Sequence, residues 1–410
     1  MVKTVVTEEH ITIVTEPGSN FLTHITPGCS TAKGIADSII DYYKKSHLDL
    51  NELLGIGCDG TATNIGSKGG VIRLLELAFN KPLQWAPCLL HANELPLRHL
   101  MRYLDGKTTG PECFSGPIGS ALTNCDQLAI CKFEPIAGKL PELTCSDLST
   151  DQRYLYEICE SVIHGICSEE LGRRNPGKMA HSRWLTTANR ILRLYVATVD
   201  PSPELKLLTT FVVKVYVQVW FAVKTKPSCK DGPKHLMQMI QLSRQFSDQV
   251  RHVIDPVIQR NAYFAHPENL LLAMIADERP HIRQLGLHRI LKARTQMKKG
   301  IRFCVPSINF TATDYTELIN WSKIMVTEPP LIPEIPLNEI SSRVFEGNTE
   351  LLQFIRVPCH TQAVERAVKL VTEASMSVCG ETARNGFIKN RIQSRQQMAV
   401  FNKKSDYVCD

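Results

Sequence analysis

The sequence Leu53-Leu-Gly-Ile-Gly-Cys-Asp59-Gly-Thr-Ala-Thr-Asn64-Ile-Gly66 decides how the start of this chain is expected to fold. Its first half is a short apolar run that ends in one acid, Asp59, and this pattern predicts a buried strand. Its second half is a turn that opens into the apolar-periodic segment 71–77, which predicts a helix. Strands of α/β sheets carry ligand and metal chemistry at their carboxyl ends, where this acid falls. The alternative is that Asp59 shapes an Asp-Gly turn or caps the helix.

The residues on either side of this stretch extend the α/β pattern. Residues 10–16 and 21–26 are β-branched runs separated by a Pro-Gly turn, and they predict a β-hairpin. A helix capped by Ser30 is expected between this hairpin and the strand that ends in the acid. Residues 83–91 predict another buried strand, which leads into a helix over 93–103. The start of the chain therefore predicts a small α/β unit.

The following two hundred residues change in character, because nearly every segment there has helical periodicity. The predicted helices are 151–171, 182–197, 205–223, 236–253 and 281–299. A proline-rich connector over 327–336 precedes a last helix that starts near Thr361. This order predicts an α/β domain interrupted by an all-α insertion. The expected parts are 1–110 (start of the α/β domain), 111–345 (helical insertion), 346–385 (returning part) and 386–410 (basic tail).

Composition limits the classes of function. The chain has 410 residues, of which 43% are hydrophobic and 21% charged, and this composition allows a large hydrophobic core. Its formal net charge of +6 is compatible with a polyanionic partner. The 14 cysteines occur singly, without a CxxC pair, which argues against a disulfide scaffold or a zinc ribbon. No signal peptide is expected at Met1. The most apolar stretch, 211–223, is too short to span a bilayer and carries Lys214, so no membrane partner is expected.

Four motifs resemble those of hAT-type transposases and occur in that family's order. They are Asp59-Gly-Thr-Ala-Thr-Asn64, Cys88-Leu-Leu-His91, His181-Ser-Arg183-Trp184 and Pro358-Cys-His-Thr-Gln-Ala-Val-Glu365-Arg366. Each motif alone is a weak signal, and their common order strengthens the resemblance. The phrases Leu90-His-Ala-Asn-Glu-Leu-Pro-Leu-Arg-His-Leu100 and Phe114-Ser-Gly-Pro-Ile-Gly119 also resemble transposase-derived proteins of arthropod genomes.

The resemblance implies an RNase H-like mixed sheet interrupted by a large helical domain. It implies that Asp59 and Glu365 are catalytic acids that hold Mg²⁺ or Mn²⁺, since these hard cations prefer carboxylate oxygen. Four further residues would lie in the active-site neighbourhood, namely Asn64, Cys88, His91 and Arg366. Arg183 and Trp184 would contact nucleic acid, with the indole stacked on an unpaired base. DNA would be the partner and the nucleus the location.

The chain departs from the family pattern at its start. The strand that carries the first catalytic aspartate should precede the hairpin, yet the first aspartate of the sequence is Asp37, on a predicted helix. The first acid and its central strand are therefore expected to be missing, as in a truncated transposase, and the zinc-finger module that often opens these proteins is missing too. Asp59 and Glu365 alone would hold one divalent ion weakly, because two neighbouring cations need several carboxylates. The expected function is that of a DNA-associated, catalytically impaired, transposase-derived protein.

Several alternatives stay open at this point. Trp184 could instead pack in the core, and Glu365 could be an ordinary surface glutamate. Cys88 could be a packed thiol and His91 a hydrogen-bonded imidazole, an arrangement favoured over a zinc site. Five basic residues could contact DNA phosphates or could simply form a solvated helix face. They are Arg190, Arg193, Lys298, Lys299 and Arg302. The whole chain could instead be a domesticated DNA- or protein-interaction module that works as a homodimer, or a relic reading frame without selected function.

Overall fold

The computed structural model describes residues 11–16, 20–107, 114–143, 148–179, 184–295, 306–324, 359 and 382. Within these residues the chain is mixed α/β and rich in helix, with small sheets and a large helical region. The coarse prediction of an α/β start followed by a helical block is therefore confirmed. The connector at 327–336, the helix expected from Thr361 and the basic tail lie outside the described residues.

Four strands form two small sheets in the described part of the chain. β1 (Ile11–Thr15) and β2 (Asn20–Ile25) are antiparallel, and their register shifts between Ile13 and Val14. β3 (Gly55–Cys58) and β4 (Gln84–Pro87) are parallel. The predicted hairpin and both predicted strands are present, with ends shifted by up to four residues. The expectation that the strand before Asp59 is buried was wrong, because the residues of β3 are exposed or half-buried.

Four helices accompany these strands: α1 (Ala32–Ser46), α2 (Ala62–Ile65), α3 (Val71–Phe79) and α4 (Leu89–Asp105). The cap of α1 is Thr31, whose hydroxyl accepts the Gly34 amide at 3.2 Å, so the prediction of Ser30 was wrong by one residue. Helix α3 ends at Asn80 in the left-handed conformation, with φ of 49°. Helix α4 begins earlier than predicted, directly after β4.

The remaining helices form the helical block. They are α5 (Pro117–Leu122), α6 (Thr150–His164), α7 (Glu169–Arg173), α8 (Trp184–Tyr195), α9 (Pro203–Phe211), α10 (Val217–Thr225), α11 (Gly232–Ser243), α12 (Asp248–Arg260), α13 (Pro267–Ile275) and α14 (Pro280–Thr295). The predicted helix 151–171 is two helices, because Gly165, with φ of 74°, ends α6. The predicted helix 236–253 is also divided, between α11 and α12. Helix α13 was not predicted.

The described residues form two compact units. The first unit comprises the described parts of 1–89, 227–234 and 262–400, and the second comprises those of 90–226 and 235–261. In the first unit, α1 and α3 pack together through a core that includes Ile35, Val71 and Leu75. In the second unit the core is formed largely by helices, with α6 packed against α8.

The helical run Pro203–Thr225 forms the centre of the second unit. It consists of α9, a π-helical segment (Val212–Tyr216) and α10. Among the described residues it is the one helix long and apolar enough to cross a membrane, but 67% of its most apolar window is already buried inside the protein. Such burial is typical of a core helix, in agreement with the predicted buried element. The expectation that the stretch is too short to span a bilayer was wrong, because the helical run has 23 residues.

Candidate functional site

Asp59 follows the carboxyl end of β3, beside the place where the neighbouring strand also ends. Cys58 is paired with Pro87 in the parallel register, and the Cys88 amide continues the pairing by donating to the Cys58 carbonyl at 2.7 Å. Asp59 and Cys88 therefore follow neighbouring strand ends at one edge of this small sheet. Asp59 is exposed, whereas Cys88 is buried.

The carboxylate of Asp59 shapes the turn that leads into α2. Its Oδ1 accepts from the Thr61 amide at 3.1 Å, from the Thr61 hydroxyl at 2.8 Å and from the Asn64 side-chain amide at 2.7 Å. These contacts are those of the turn-building alternative, and they orient the carboxylate. Oδ2 has no hydrogen-bond partner among the described residues. One oxygen of the carboxylate thus builds the turn, which is the role that the structure shows for Asp59.

The turn that carries Asp59 rests on an aromatic stack. The Tyr263 hydroxyl donates to the Ile65 carbonyl at 3.1 Å, across 198 residues of sequence. The Tyr263 ring stacks on Trp85 of β4, with ring centroids 5.7 Å apart and planes 11° apart, and the Asn269 side chain donates to the Tyr263 carbonyl at 2.9 Å. Sequence reasoning missed Tyr263 and Asn269, since no local periodicity signals a contact over this separation.

The two thiols near this edge, those of Cys58 and Cys88, are placed by the ends of β3 and β4. Burial raises the pKa of the Cys58 thiol well above its ordinary value, and the nearby Asp59 and Cys88 add to this effect. His91 is half-buried in the first turn of α4. No group of three or more histidine, cysteine, aspartate or glutamate side chains in the described part of the chain is placed to hold a metal ion.

Cys359 brings a distant segment to the same edge. Its carbonyl accepts from the Leu89 amide at 2.7 Å, and its amide donates to the Pro227 carbonyl at 2.5 Å. Cys359 is fully buried. It belongs to the motif that ends in Glu365 and Arg366, which themselves lie outside the described residues. The motif therefore begins next to Cys88, an adjacency that the sequence alone did not reveal.

Trp184 lies in the core of the second unit. Its side chain is 2% exposed, and its ring packs edge-to-face against Phe114 with centroids 6.2 Å apart. Because a base stacks only on an accessible ring face, this arrangement corresponds to the core-packing alternative. Arg183 lies outside the described residues.

Arg190 and Arg193 on α8 are also buried, which corrects both alternatives given for them, contact with phosphates and a solvated helix face. Arg190 donates to the Leu122 carbonyl at 2.8 Å and pairs with Asp126 at 3.3 Å. Arg193 donates to the Gly172 carbonyl at 3.0 Å. Both side chains tie α8 to surrounding loops. Nothing in the sequence of this amphipathic helix indicated that these two arginine side chains point into the core. Lys298, Lys299 and Arg302 lie outside the described residues.

The chain matches no family model, no curated protein and no solved structure.

Proposed function

We propose that this chain derives from an hAT-type transposase and is a DNA-associated protein with an RNase H-like core and impaired catalysis. The observation that carries the proposal is the arrangement at the edge of β3 and β4. Exposed Asp59 follows one strand, and Asn64 in the same turn donates to it at 2.7 Å. Cys88 follows the neighbouring strand. Parallel strands gather such residues at one edge, where sheets of this class do their chemistry.

The pairing of the strands supports the same proposal. An RNase H-like sheet has a central strand, and the resemblance implies that this strand would separate the hairpin from the parallel pair. The hairpin β1–β2 and the pair β3–β4 are indeed separate two-stranded sheets in the described residues. Ile11 of β1 and Ile56 of β3 nevertheless pack against the same core cluster, with Ile35 and Val71 of the two helices. The two sheets thus belong to one α/β core.

The position of Cys359 supports the return of the chain to this edge. Cys359 belongs to the motif that ends in Glu365 and Arg366, and its carbonyl accepts from the Leu89 amide at the start of α4. Such a contact is what a chain that returns after a helical insertion requires.

The donor set near Asp59 does not fit a two-metal centre in the described part of the chain. Two divalent ions need several carboxylates around them, and no cluster of three ligating side chains is present among the described residues. Asp59 and Glu365 would be the residues to hold a single Mg²⁺ or Mn²⁺ ion. No catalytic step is assigned to this ion, and the proposed activity is association with DNA.

The test is a Mg²⁺- or Mn²⁺-dependent nicking assay on a DNA hairpin, together with DNA binding at several salt concentrations. The full chain is expected to bind DNA in a salt-sensitive manner, because phosphate contacts release counterions, and to leave the DNA uncut. Absence of binding at low salt would overturn the proposed DNA association.

Two variants separate a catalytic acid from a turn-forming one. Asp59→Ala removes the candidate ligand, while Asp49→Ala removes another exposed turn aspartate, which accepts the Asn51 amide at 2.8 Å. Neither variant is expected to change cutting, which should be absent throughout. Nicking by the unmodified chain that is lost in Asp59→Ala and kept in Asp49→Ala would refute impaired catalysis and establish an active acid.

A further inference from the structure

The second half of α4 carries a basic face at the surface of the second unit. Its inner side is formed by Leu97, Leu100 and Met101, which are at most 1% exposed. On the outer side Arg98 is half-buried and Arg102 is exposed. These two arginines are four residues apart, so they share one face of the helix and are separated by about 6 Å along its axis. This part of α4 therefore buries an apolar side and leaves two guanidinium groups towards solvent.

Helix α12 adjoins this face. The Gln249 side chain donates to the Tyr103 hydroxyl at 2.7 Å, across 146 residues of sequence, and Tyr103 belongs to the exposed side of α4. Gln249, His252, Pro256 and Arg260 are exposed along one side of α12, at spacings of three and four residues. The side of α12 that contacts Tyr103 is thus the side that carries Arg260. The residues of this α4–α12 surface are Arg98, Arg102, Tyr103 and Arg260.

The positive charge of the α4–α12 surface is not neutralised by carboxylates in the part of the chain that the structure describes. The two acids of α12 pair with other arginines, Asp248 with Arg251 and Asp255 with Arg244. Asp105 at the end of α4 is buried and accepts from two backbone amides of α5, at 2.7 and 2.8 Å. Among the described residues no ion pair, with Glu94 of α4 or with any other acid, is formed by Arg98, Arg102 or Arg260.

The charges of the three arginines act together on one neighbouring side chain. Burial lowers the pKa of the half-buried His99 on α4, and the charges of Arg260, Arg102 and Arg98 lower it further. The effect of Arg260, which belongs to α12, agrees with the hydrogen bond that joins the two helices. Three unneutralised charges close together attract polyanions.

We propose that the α4–α12 surface binds single-stranded DNA, with its three arginines on phosphates and the Tyr103 ring against an unpaired base. Basic surfaces that carry exposed aromatic rings bind single strands because every base has a face that can stack. Tyr103 is 50% exposed, and the hydrogen bond from Gln249 holds its ring in place. Tyr103 thus performs the stacking that the buried Trp184 cannot. The inference rests on the proposed association with DNA and assigns it to a surface.

The test measures binding of a labelled single-stranded oligonucleotide by the full chain at several salt concentrations. The variant combines Arg98→Gln, Arg102→Gln and Arg260→Gln. Loss of three phosphate contacts should reduce the slope of log affinity against log salt concentration by about 2. An unchanged slope in the variant would overturn the α4–α12 surface alone. An unmodified chain that binds no DNA would overturn the proposed DNA association, and this inference with it.

The matched control removes three positive charges from other exposed positions of the second unit. Lys132, Lys139 and Lys178 are exposed and belong to neither α4 nor α12. Their combined replacement by glutamine changes the net charge of the chain by the same amount, so a general charge effect would appear equally in both triple variants. The control is expected to keep the slope of the unmodified chain. Equal slopes in the two triple variants would refute the surface.

Two substitutions of Tyr103 test the stacking. Tyr103→Leu removes the ring and should weaken binding of the single strand about tenfold. Tyr103→Phe keeps the ring and removes only the hydroxyl that Gln249 contacts, so it should bind as tightly as the unmodified chain. Equal affinities of the leucine and phenylalanine variants would refute a stacked base.

A second measurement needs no substitution and so covers the case in which a variant fails to fold. The unmodified chain is irradiated with a single strand that carries 5-iodouracil, which crosslinks to an aromatic ring stacked on it. Mass spectrometry should find the crosslink on the peptide that contains Tyr103. Crosslinks confined to other peptides would contradict the proposal.

Discussion

A single buried carboxylate ties together the α/β core of the first unit. Glu76 on α3 is 3% exposed. Its Oε1 accepts from the Leu83 amide and from the Trp85 indole, both at 3.0 Å, and its Oε2 pairs with Arg73 at 3.0 Å. Glu76 thereby joins α3 to β4, the strand whose end lies beside Asp59.

Glu76→Ala is expected to lower the free energy of unfolding by about 3–5 kcal/mol, because it removes a buried carboxylate that accepts from the Leu83 amide and the Trp85 indole and pairs with the half-buried Arg73. Urea unfolding measures this change. The control is Glu169→Ala, which breaks the exposed pair with Arg173 and should cost at most about 1 kcal/mol. Similar losses in the two variants would contradict the role assigned to Glu76.

Cys29 is expected to be the most reactive of the nine described cysteines. It is exposed, and hydrogen bonds from the Thr31 hydroxyl and amide lower its pKa. Burial raises the pKa of Cys58 and Cys159 well above the ordinary value, and the thiolate is the nucleophile. A short pulse of iodoacetamide at neutral pH, followed by peptide mass spectrometry, should show Cys29 alkylated before the other eight described cysteines. Earlier alkylation of Cys159 would be inconsistent with this structure.

At the scale of elements, the second unit is built on the run from α9 through the π-helical segment to α10. The wider turn of a π-helix alters the helical hydrogen-bond pattern, and here the Tyr216 carbonyl accepts from the Asn93 side chain at 3.0 Å. Asn93 is 1% exposed and belongs to α4. This hydrogen bond attaches α4 to the central helical run.

Substitution of Asn93 should show how much this attachment contributes. Asn93→Ala leaves a buried carbonyl without its donor and is expected to cost about 1–3 kcal/mol. Asn93→Asp should cost more, since a buried carboxylate would then face that carbonyl. The comparison is made by urea unfolding, with exposed Asn51→Asp as the control. A smaller loss for Asn93→Asp than for Asn93→Ala would contradict the assigned contact.

At the scale of the whole molecule, distant segments of the first unit are joined by an ionic network around Asp277. Its side chain is 3% exposed and pairs with Lys234 at 3.2 Å and with Arg279 at 2.9 Å. The Tyr315 hydroxyl donates to it at 2.6 Å. Arg279 also pairs with Asp314 at 2.5 Å. The network therefore connects 227–234, the start of α14 and the segment near 315.

This network predicts how stability depends on acid. Burial alone would raise the pKa of Asp277, but hydrogen bonds from Arg279 and Tyr315 and the charge of Lys234 hold it below its ordinary value. The unfolded chain, with an aspartate pKa of about 3.9, therefore takes up the proton first as pH falls. The stabilisation is present above about pH 5 and is lost progressively below it.

Asp277→Asn should reduce stability at pH 7 and flatten the loss of stability between about pH 5 and pH 3. Urea midpoints at a series of pH values measure both effects. Asp49→Asn, in an exposed turn, should keep the slope of the unmodified chain. An acid limb as steep in Asp277→Asn as in the unmodified chain would show that other carboxylates govern acid unfolding.

The sequence by itself determined the local elements of this protein. Alternating β-branched residues near Ile11, the apolar run before Asp59 and the helical periodicity after residue 150 reflect side-chain patterns that repeat within one element. The predicted place of Asp59 at the end of a strand followed from the same local pattern. The predicted helix boundaries were wrong where a single residue ends the helix, as Gly165 ends α6.

Only the tertiary structure decided which side chains face inward and which distant residues meet. Trp184, Arg190 and Arg193 are residue types that often contact nucleic acid at a protein surface, but in this structure all three lie in the core. Tyr263 reaches the turn of Asp59 across 198 residues, and Cys359 lies beside Cys88. Periodicity reports one face of one element, whereas these contacts depend on how several elements pack. Burial and long-range hydrogen bonding are therefore properties of the assembled fold.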